Sequence, residues 1–338
     1  MSPSALQIQT RMFKGIFLFV AIPLFLFAIA TEIFAQSKPY DINGCIQTTA
    51  IKSENNDGFL FGFDRVRLTV KGALNPKVDF RLQVDFSKQS TDIDKDGDSP
   101  GIIKDAEMKI KANSHVVVHF GKFKTPIGTE FNMSGQKLDF VKRGLGQALV
   151  FERNLGAMVR ASKLNKMNLG FDLGVFNPGP SKANDIGSAA AGNDYTLAGR
   201  VHATPVKNVF AEAYFGNAMT SVVDQENVSI FGAGVKTKFD KLNVNGEFMM
   251  RKDGNSAAQD GTDFWFSAAY LVTPEFEPVL KFEKLDVSAD ASDQAITVIG
   301  FNYFFNPKDH HQSKIQVNYH MSDLDGYDAI QFMFQVKY

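Results

Sequence analysis

Apolar and polar side chains alternate at every step of AIQFMFQVKY, residues 329–338. Ile330, Phe334 and Tyr338 fall on one face of an extended chain, and Gln331 and Gln335 fall on the other. A period of two predicts a β-strand whose two faces meet different surroundings. The pattern recurs in DRVRLTVKG (64–72), KVDFRLQVDF (77–86) and KIQVNYHM (314–321).

Two kinds of connection alternate between the predicted strands. The short ones are LNPK, ANS, LNKM, TPVK, FDK, VTPEF and NPKDHHQ. The long ones are rich in Gly, Asp, Ser and Asn and lie at roughly 51–58, 89–101, 125–148, 177–193, 218–227, 253–262, 288–293 and 322–327. Seven short and eight long connections predict sixteen strands.

An even number of strands, with both ends of the chain on the short-turn side, is typical of a transmembrane antiparallel β-barrel of the outer membrane. Such a barrel has short periplasmic turns and long extracellular loops. The last strand would close the barrel against the first, which explains why the sequence runs to its end in strand-like alternation. The alternative is a secreted soluble β-sandwich that binds a ligand, since its strands also alternate.

Residues 1–35 are expected to be an export signal. Arg11 and Lys14 precede an apolar run from Gly15 to Ala30, and a cleavage site is expected after Ala35. Residues 36–338 would then form one barrel domain. They contain no other apolar run long enough for a helical membrane span, so a helical membrane protein is excluded.

Composition narrows the class of protein further. Thirty-two Phe in a chain with 22% charged residues and a formal net charge of −1 fit two faces in different solvents, and this charge does not favour nucleic acid as a partner. A single Cys allows no internal disulfide. No G-x-S-x-G, H-E-x-x-H or phosphate-binding glycine loop is found, so no enzymatic activity and no cofactor are predicted.

No metal site is predicted either. DIDKDGD (92–98) resembles the start of a calcium loop, but Ile103 stands at its twelfth position in place of a bidentate Glu. His310 and His311 are adjacent in a turn and would point apart on an extended backbone.

From Phe59 onward the sequence resembles the phosphate-selective porin O and P family. The matching motifs are RVRLTVKGAL, DFRLQVDF, IKDAEMKI, HFGKFKTPIGTEF, FVKRG, FERNLGAMV and GFNYFFNPKDHHQSKIQVNY. The resemblance implies a sixteen-stranded channel, usually a homotrimer, that favours small anions such as phosphate or polyphosphate. It implies the bacterial outer membrane as location, with membrane lipid and lipopolysaccharide as surroundings. A dense ladder of lumen-facing arginines is not recognised in the sequence, so a non-selective or cation-preferring general porin is the alternative.

Selectivity is expected to depend on charge at the narrowest point of the pore. Porins commonly fold a loop of the first half of the chain inward, and 125–148 is the longest connection. Residues 120–163 hold eight cations against three acids. The candidate residues for the anion pathway, in order of expectation, are Lys124, Arg153, Arg143, Lys142, Lys122, Arg65, Arg67 and Lys71. Pairing with wall acids, or contact with lipopolysaccharide phosphates, are the alternative roles of these cations.

Overall fold

The computed structural model describes residues 40–87, 102–177, 195–219, 227–253, 260–288 and 293–338. One compact unit comprises residues 42–338, and of the unit before it, residues 1–41, only Tyr40 and Asp41 are described. The expected export signal and the DIDKDGD segment lie outside the described residues. Within the described part of the chain, no helix is long and apolar enough to cross a membrane.

Sixteen antiparallel β-strands make up almost all of the regular structure. They are β1 Tyr40–Ser53, β2 Leu60–Asn75, β3 Val78–Asp85, β4 Ile103–Lys111, β5 Val116–Lys124, β6 Arg153–Ala161, β7 Gly170–Phe176, β8 Thr196–Val206, β9 Val209–Ala218, β10 Val228–Phe239, β11 Leu242–Asp253, β12 Gly261–Tyr270, β13 Phe276–Val287, β14 Gln294–Phe304, β15 Ser313–Ser322 and β16 Ala329–Lys337. Between β5 and β6 lie one helical turn, α1 (Thr129–Asn132), and two 3-10 turns, Gly135–Lys137 and Leu145–Leu149.

The sheet is a closed barrel in which each strand pairs with its sequence neighbours and β16 pairs with β1. The closing register runs from Cys45 opposite Lys337 to Ser53 opposite Ala329. The Gly44 and Tyr338 backbones exchange hydrogen bonds of 2.9 and 3.1 Å. Closure leaves no edge strand exposed, which confirms the predicted barrel and shows that the soluble β-sandwich alternative is wrong.

The connections between strands fall into two groups, one at each end of the barrel. At the end that carries Tyr338, the turns span 76–77, 112–115, 162–169, 207–208, 240–241, 271–275 and 305–312. At the opposite end, the loops that the structure describes in full span 54–59, 125–152 and 323–328, and the other connections between strand ends on this side include residues outside the described ranges. The number of strands agrees with the sixteen predicted from the connections, although β1 and β12 extend into the ranges 51–58 and 253–262 that were expected to be loops. Two turns, 162–169 and 305–312, are longer than the loop 54–59, so length alone does not separate the two ends.

The two faces of the wall differ as the period-two pattern predicts. In β16, Gln335 is fully buried whereas Phe334 is 46% exposed. In β12, Asp263 is fully buried whereas Phe264 and Phe266 are each 46% exposed. Polar side chains therefore face the interior and aromatic side chains face outward, the reverse of a soluble protein and the arrangement expected in lipid.

Segment 125–152 lies inside the barrel and is called the inward loop below. Its apolar side chains, among them Ile127 and Phe151, form a cluster with inward-facing residues of β6, β7 and β10. Inward-facing glycines make room for this packing. A Cβ at Gly216 would lie 2.9 Å from the Phe151 ring, and one at Gly234 would overlap the Thr129 side chain.

Candidate functional site

Glu247 of β11 holds the first part of the inward loop. Its carboxylate accepts hydrogen bonds from the backbone N–H of Thr129 and, at 3.0 Å, of Glu130. It also accepts bonds from the Tyr214 hydroxyl at 2.5 Å and the Trp265 indole N–H at 3.0 Å. Four donors converge on one buried carboxylate, so α1 begins at a fixed point on the wall.

Strand β13 supplies a second attachment. Lys281 donates to Glu130 Oε1 at 3.0 Å and lies 3.1 Å from Glu283 Oε2. The backbone N–H of Gly146 donates to Glu283 Oε1 at 3.1 Å. Lys281 and Glu283 of β13 therefore hold two separate segments of the inward loop, one at Glu130 and one at Gly146.

The middle of the inward loop is attached to β15 and β1, the two strands that flank β16. The Leu138 carbonyl accepts bonds from Lys314 at 2.7 Å and Gln316 at 3.1 Å. The Val141 N–H donates to Asn318 at 2.7 Å, and the Gly135 carbonyl accepts from Gln47 at 3.2 Å. The loop is thus bound to β1, β11, β13 and β15, and this is the loop that was expected to fold inward.

Lys124 and Arg143, two of the leading candidates, contact the loop backbone. The Lys124 ammonium donates to the carbonyls of Phe131 and Met133 and lies 4.8 Å from the centre of the Phe131 ring. The Arg143 guanidinium donates to the carbonyls of Glu130 and Met133, at 3.3 and 2.7 Å. Both side chains therefore hold the loop in shape as well as adding positive charge.

Arg143 lies in a region of positive charge. Burial and the positive charge of Arg65 lower the pKa of Arg143 to about 10, and Arg67 and Arg153 act in the same direction. Arg143 remains protonated at neutral pH. The candidates Arg65, Arg67, Arg143 and Arg153 are thus brought close enough to interact, although they come from three separate parts of the sequence.

Strand β2 carries acids beside its arginines. Arg65 donates to Gln47 at 2.5 Å and forms an ion pair with Asp64, which also pairs with Lys142 of the inward loop. Arg67 pairs with Asp85 at 2.7 Å. These cations pair with neighbouring acids, and their part in the anion pathway stays a prediction.

A row of ion pairs continues around the wall from β3 to β10. Asp105 lies between Arg81 at 3.0 Å and Arg153 at 2.8 Å. Asp172 lies between Arg160 at 2.7 Å and Arg200 at 2.5 Å. Glu212 follows, with Arg200 at 3.1 Å and Lys236 at 4.0 Å. We call these residues the charged row.

Cations and acids of the charged row differ in their access to the lumen. The Arg81 and Arg160 side chains are 36% and 39% exposed, whereas Asp105 and Asp172 are 4% and 0% exposed. Lys236 is 30% exposed and Glu212 is 1% exposed. The acids are thus buried while these three cations are partly exposed, and the other two cations of the row, Arg153 and Arg200, are 14% and 13% exposed.

The two remaining candidates are Lys122 and Lys71. Lys122 is buried in β5, only 6% exposed, with Arg153 and Asp105 as its nearest charges. Lys71 is exposed in the half of β2 near the turns, opposite Arg81.

Sequence reasoning missed Arg200 and Lys236 and did not recognise a row of arginines. The row exists, but each of its cations has an acidic neighbour. The signal was present: Asp172 stands directly opposite Arg160 in one ladder and opposite Arg200 in the other. Cross-strand pairs of opposite charge can be read only after the register is known. Within the described residues, no three His, Cys, Asp or Glu side chains are placed to hold a metal ion.

The family profile of "Phosphate-selective porin O and P" matches residues 46–275. The chain belongs to this family. A comparison with curated protein sequences finds no match. The family and the barrel point to a porin of the bacterial outer membrane, a channel rather than an enzyme.

Solved structures show the same fold at low sequence identity. The anion-selective porin from Comamonas acidovorans has 13% identity and a TM-score of 0.63, covering 88% of this porin and 98% of that chain. OmpF of Salmonella typhi, in complex with daunomycin, has 11% identity and a TM-score of 0.63, covering 88% and 97%. The trimer form of OmpT, an outer membrane protein of Vibrio cholerae, has 12% identity and a TM-score of 0.59, covering 88% and 99%.

Proposed function

We propose that this porin is a passive, water-filled channel whose lumen favours small anions, phosphate among them. The observation that supports the anion preference is the layering of the charged row, in which buried acids lie behind exposed cations. A passing ion meets the cation first.

The energies show why layering matters although the row is nearly neutral. At an effective dielectric near 20, a unit charge about 4 Å away contributes about 4 kcal/mol, and one at about twice that distance contributes about 2 kcal/mol. The difference attracts an anion at each pair. Arg and Lys also supply the donors that replace water around a phosphate oxygen.

The location of the selective region follows from the same argument. The inward loop is hydrogen-bonded to β1, β11, β13 and β15 and also packs on β6, β7 and β10, and the ion pairs of the charged row lie on β3–β10. Ions would pass between these surfaces. Lys124, Arg143 and Lys142 would contribute mainly by holding the loop, and Arg81, Arg160 and Lys236 by contact with ions.

The remaining parts of the proposal concern the membrane. Residues 1–35 would be removed during export, the turns would face the periplasm, and the loops would face outward, with lipid and lipopolysaccharide around the aromatic outer face. A homotrimer is the expected assembly, since a solved neighbour is described in a trimer form.

The test of the anion preference is the reversal potential of purified porin in a planar bilayer under a KCl gradient. We expect the sign of an anion-selective pore, and added phosphate should reduce the chloride current if phosphate binds in the lumen. The pairing of every cation in the charged row favours a weakly selective general porin as the second candidate. A cation-selective potential would contradict the proposal.

A further inference from the structure

The turn 162–169, at the end of the barrel that carries Tyr338, is longer than the about two to five residues usual for a hairpin. Asn165 holds it in one shape. The Asn165 side-chain oxygen accepts hydrogen bonds from the backbone N–H of Met167 at 2.9 Å and of Leu169 at 3.1 Å. The Leu164 N–H donates to the Leu169 carbonyl at 2.9 Å. The turn therefore presents a fixed surface.

This surface continues onto the end of β8. The Thr204 N–H donates to the Met167 carbonyl at 2.6 Å, which places the turn 162–169 beside the turn 207–208. Three apolar and three basic side chains are exposed on the two turns and the residues between them. We call them the turn patch: Lys163, Leu164, Lys166, Met167, Val206 and Lys207.

The apolar half of the turn patch continues the outer face of the wall. Leu164 and Met167 are each 46% exposed, and Val206 is 60% exposed. On the wall beside them, Phe171 and Val201 stand opposite each other in the β7–β8 ladder and are 40% and 56% exposed. Outward-facing apolar side chains of a transmembrane barrel contact the acyl chains of the lipid. The turn patch therefore lies where this lipid-facing surface reaches the level of the head groups.

The three lysines of the turn patch have no acidic neighbour. No Asp or Glu stands in 162–169 or 203–209. The acids of the adjoining strands, Asp172 and Glu212, are buried and pair with Arg200. Lys337, at the same end of the barrel, pairs with Asp309 at 2.9 Å. Within the described residues, by contrast, no ion pair involves a lysine of the turn patch, so three positive charges remain available to a partner.

We propose that the turn patch binds an anionic phospholipid, such as phosphatidylglycerol, by its phosphate group. Lysine side chains lay their aliphatic stems along apolar surface and keep the ammonium group at the level of the head groups. The ammonium groups would donate to the phosphate oxygens, while Leu164, Met167 and Val206 contact the first part of the acyl chains. Binding would hold this part of the barrel rim at a fixed depth. Only the leaflet, the inner one, rests on the periplasmic orientation of the turns proposed above.

The test uses purified porin reconstituted in vesicles of equal parts phosphatidylglycerol and phosphatidylcholine with the same acyl chains. The porin is extracted in a mild detergent, and the lipids that stay bound are quantified by native mass spectrometry. We expect phosphatidylglycerol to be enriched over phosphatidylcholine. Equal retention of the two lipids would overturn the proposal.

Two pairs of substitutions locate the site. Lys163→Gln with Lys166→Gln should remove most of the enrichment, because each lysine beside an anionic lipid is worth about fivefold in binding. Lys77→Gln with Lys308→Gln is the matched control, since it removes two exposed lysines from other turns at the same end of the barrel. It should retain phosphatidylglycerol like the wild type. Equal loss in the two pairs would mean a general attraction to the basic end and would overturn the turn patch.

The apolar half is tested by Leu164→Ser with Met167→Ser, which keeps every charge and should lower the retention of both lipids. Unchanged retention would contradict the acyl-chain contact. Inorganic phosphate at the concentration of the lipid should not displace phosphatidylglycerol, and displacement would assign the lysines to a free anion. Reversal potentials of all these variants should equal that of the wild type, since none of the substituted residues belongs to the charged row or the inward loop. This inference and the anion preference can therefore fail separately.

Discussion

Lys124 and Arg143 donate to the same acceptor, the carbonyl oxygen of Met133, at 2.9 and 2.7 Å. Two cations that share one acceptor repel each other, and the arrangement is stable only because further groups compensate it. The Phe131 ring lies under both, 4.8 Å from the Lys124 ammonium and 5.7 Å from the Arg143 guanidinium. The pair therefore acts as a clamp on the start of the inward loop.

Lys124→Met should loosen this clamp. It removes two hydrogen bonds from a charged donor, each worth about 1.5–3 kcal/mol. We expect the inward loop to become more sensitive to trypsin, which cuts after Lys142 and Arg143, and we expect noisier open-channel current. Lys166→Met is the control because Lys166 lies exposed in the turn 162–169. Equal trypsin sensitivity of the two variants would contradict the clamp.

The barrel could be predicted from sequence because the alternation of side chains within each strand distinguishes its inward face from its outward face. The alternation of Phe334 and Gln335 holds locally, whatever the strand pairs with, and the structure places one outside and the other inside. The convergence of Arg160 and Arg200 on Asp172 could not be predicted in this way. These residues are distant in sequence, and only the registers of two ladders bring them together.

The attachment of the inward loop also depends on contacts between residues that are distant in sequence. Its length and position suggested that it folds inward, but Glu247, its main anchor, lies more than a hundred residues away. The local sequence GEFMM does not indicate that its Glu attaches the inward loop. One usable signal was the pair of inward-facing glycines, Gly232 and Gly234, which leave space on β10 for Tyr214 and Thr129.

Glu247→Ala should release the loop more completely than Lys124→Met. It leaves two backbone N–H groups, a hydroxyl and an indole N–H without their acceptor, and breaking such a buried charged network costs about 3–5 kcal/mol. We expect a lower unfolding temperature and altered single-channel conductance. Glu275→Gln, in the turn 271–275, is the control. Unchanged conductance in Glu247→Ala would mean that the other attachments suffice to hold the loop.

Loop attachment should depend on pH through Asp139. Burial, and then the negative charge of Glu277, raise the pKa of Asp139 to about 7. The other charges that face it are those of Lys314, Glu130 and Lys238. A carboxyl with a raised pKa favours the attached loop in its protonated form. Attachment should therefore be strongest below about pH 4, the ordinary value for Asp, and weaken as the pH rises from 4 to 7.

Trypsin is inactive at the lower end of this range, so the measurement is open-channel noise between pH 4 and pH 8. Noise should increase toward neutral pH in the wild type. Asp139→Asn stays neutral at every pH and should remove most of this change. If the noise of Asp139→Asn follows the wild type, another group controls the pH response.

The anion preference is tested most directly by Arg81→Gln combined with Arg160→Gln. These are the most exposed arginines of the charged row, and each shares its acid with a second arginine. Asp105 keeps Arg153 and Asp172 keeps Arg200, so no buried acid loses all its partners and the barrel should fold. A charge about 4 Å from an ion is worth about 1 kcal/mol in bulk water and about 4 kcal/mol at the effective dielectric near 20 used above, and the lower figure suits these more exposed side chains. Removing two such charges should lower the anion-to-cation permeability ratio several-fold.

The matched control, Arg81→Lys with Arg160→Lys, keeps both charges but loses the planar guanidinium. If charge sets the selectivity, the control should give the reversal potential of the wild type while the Gln pair shifts it toward zero. If both pairs shift it equally, the guanidinium geometry matters more than the charge, and recognition of a planar or tetrahedral anion by paired N–H groups becomes the better account. If neither pair shifts it, ions do not pass along the charged row, and the selective contacts must lie at the inward loop, where Lys124, Arg143 and Arg153 meet.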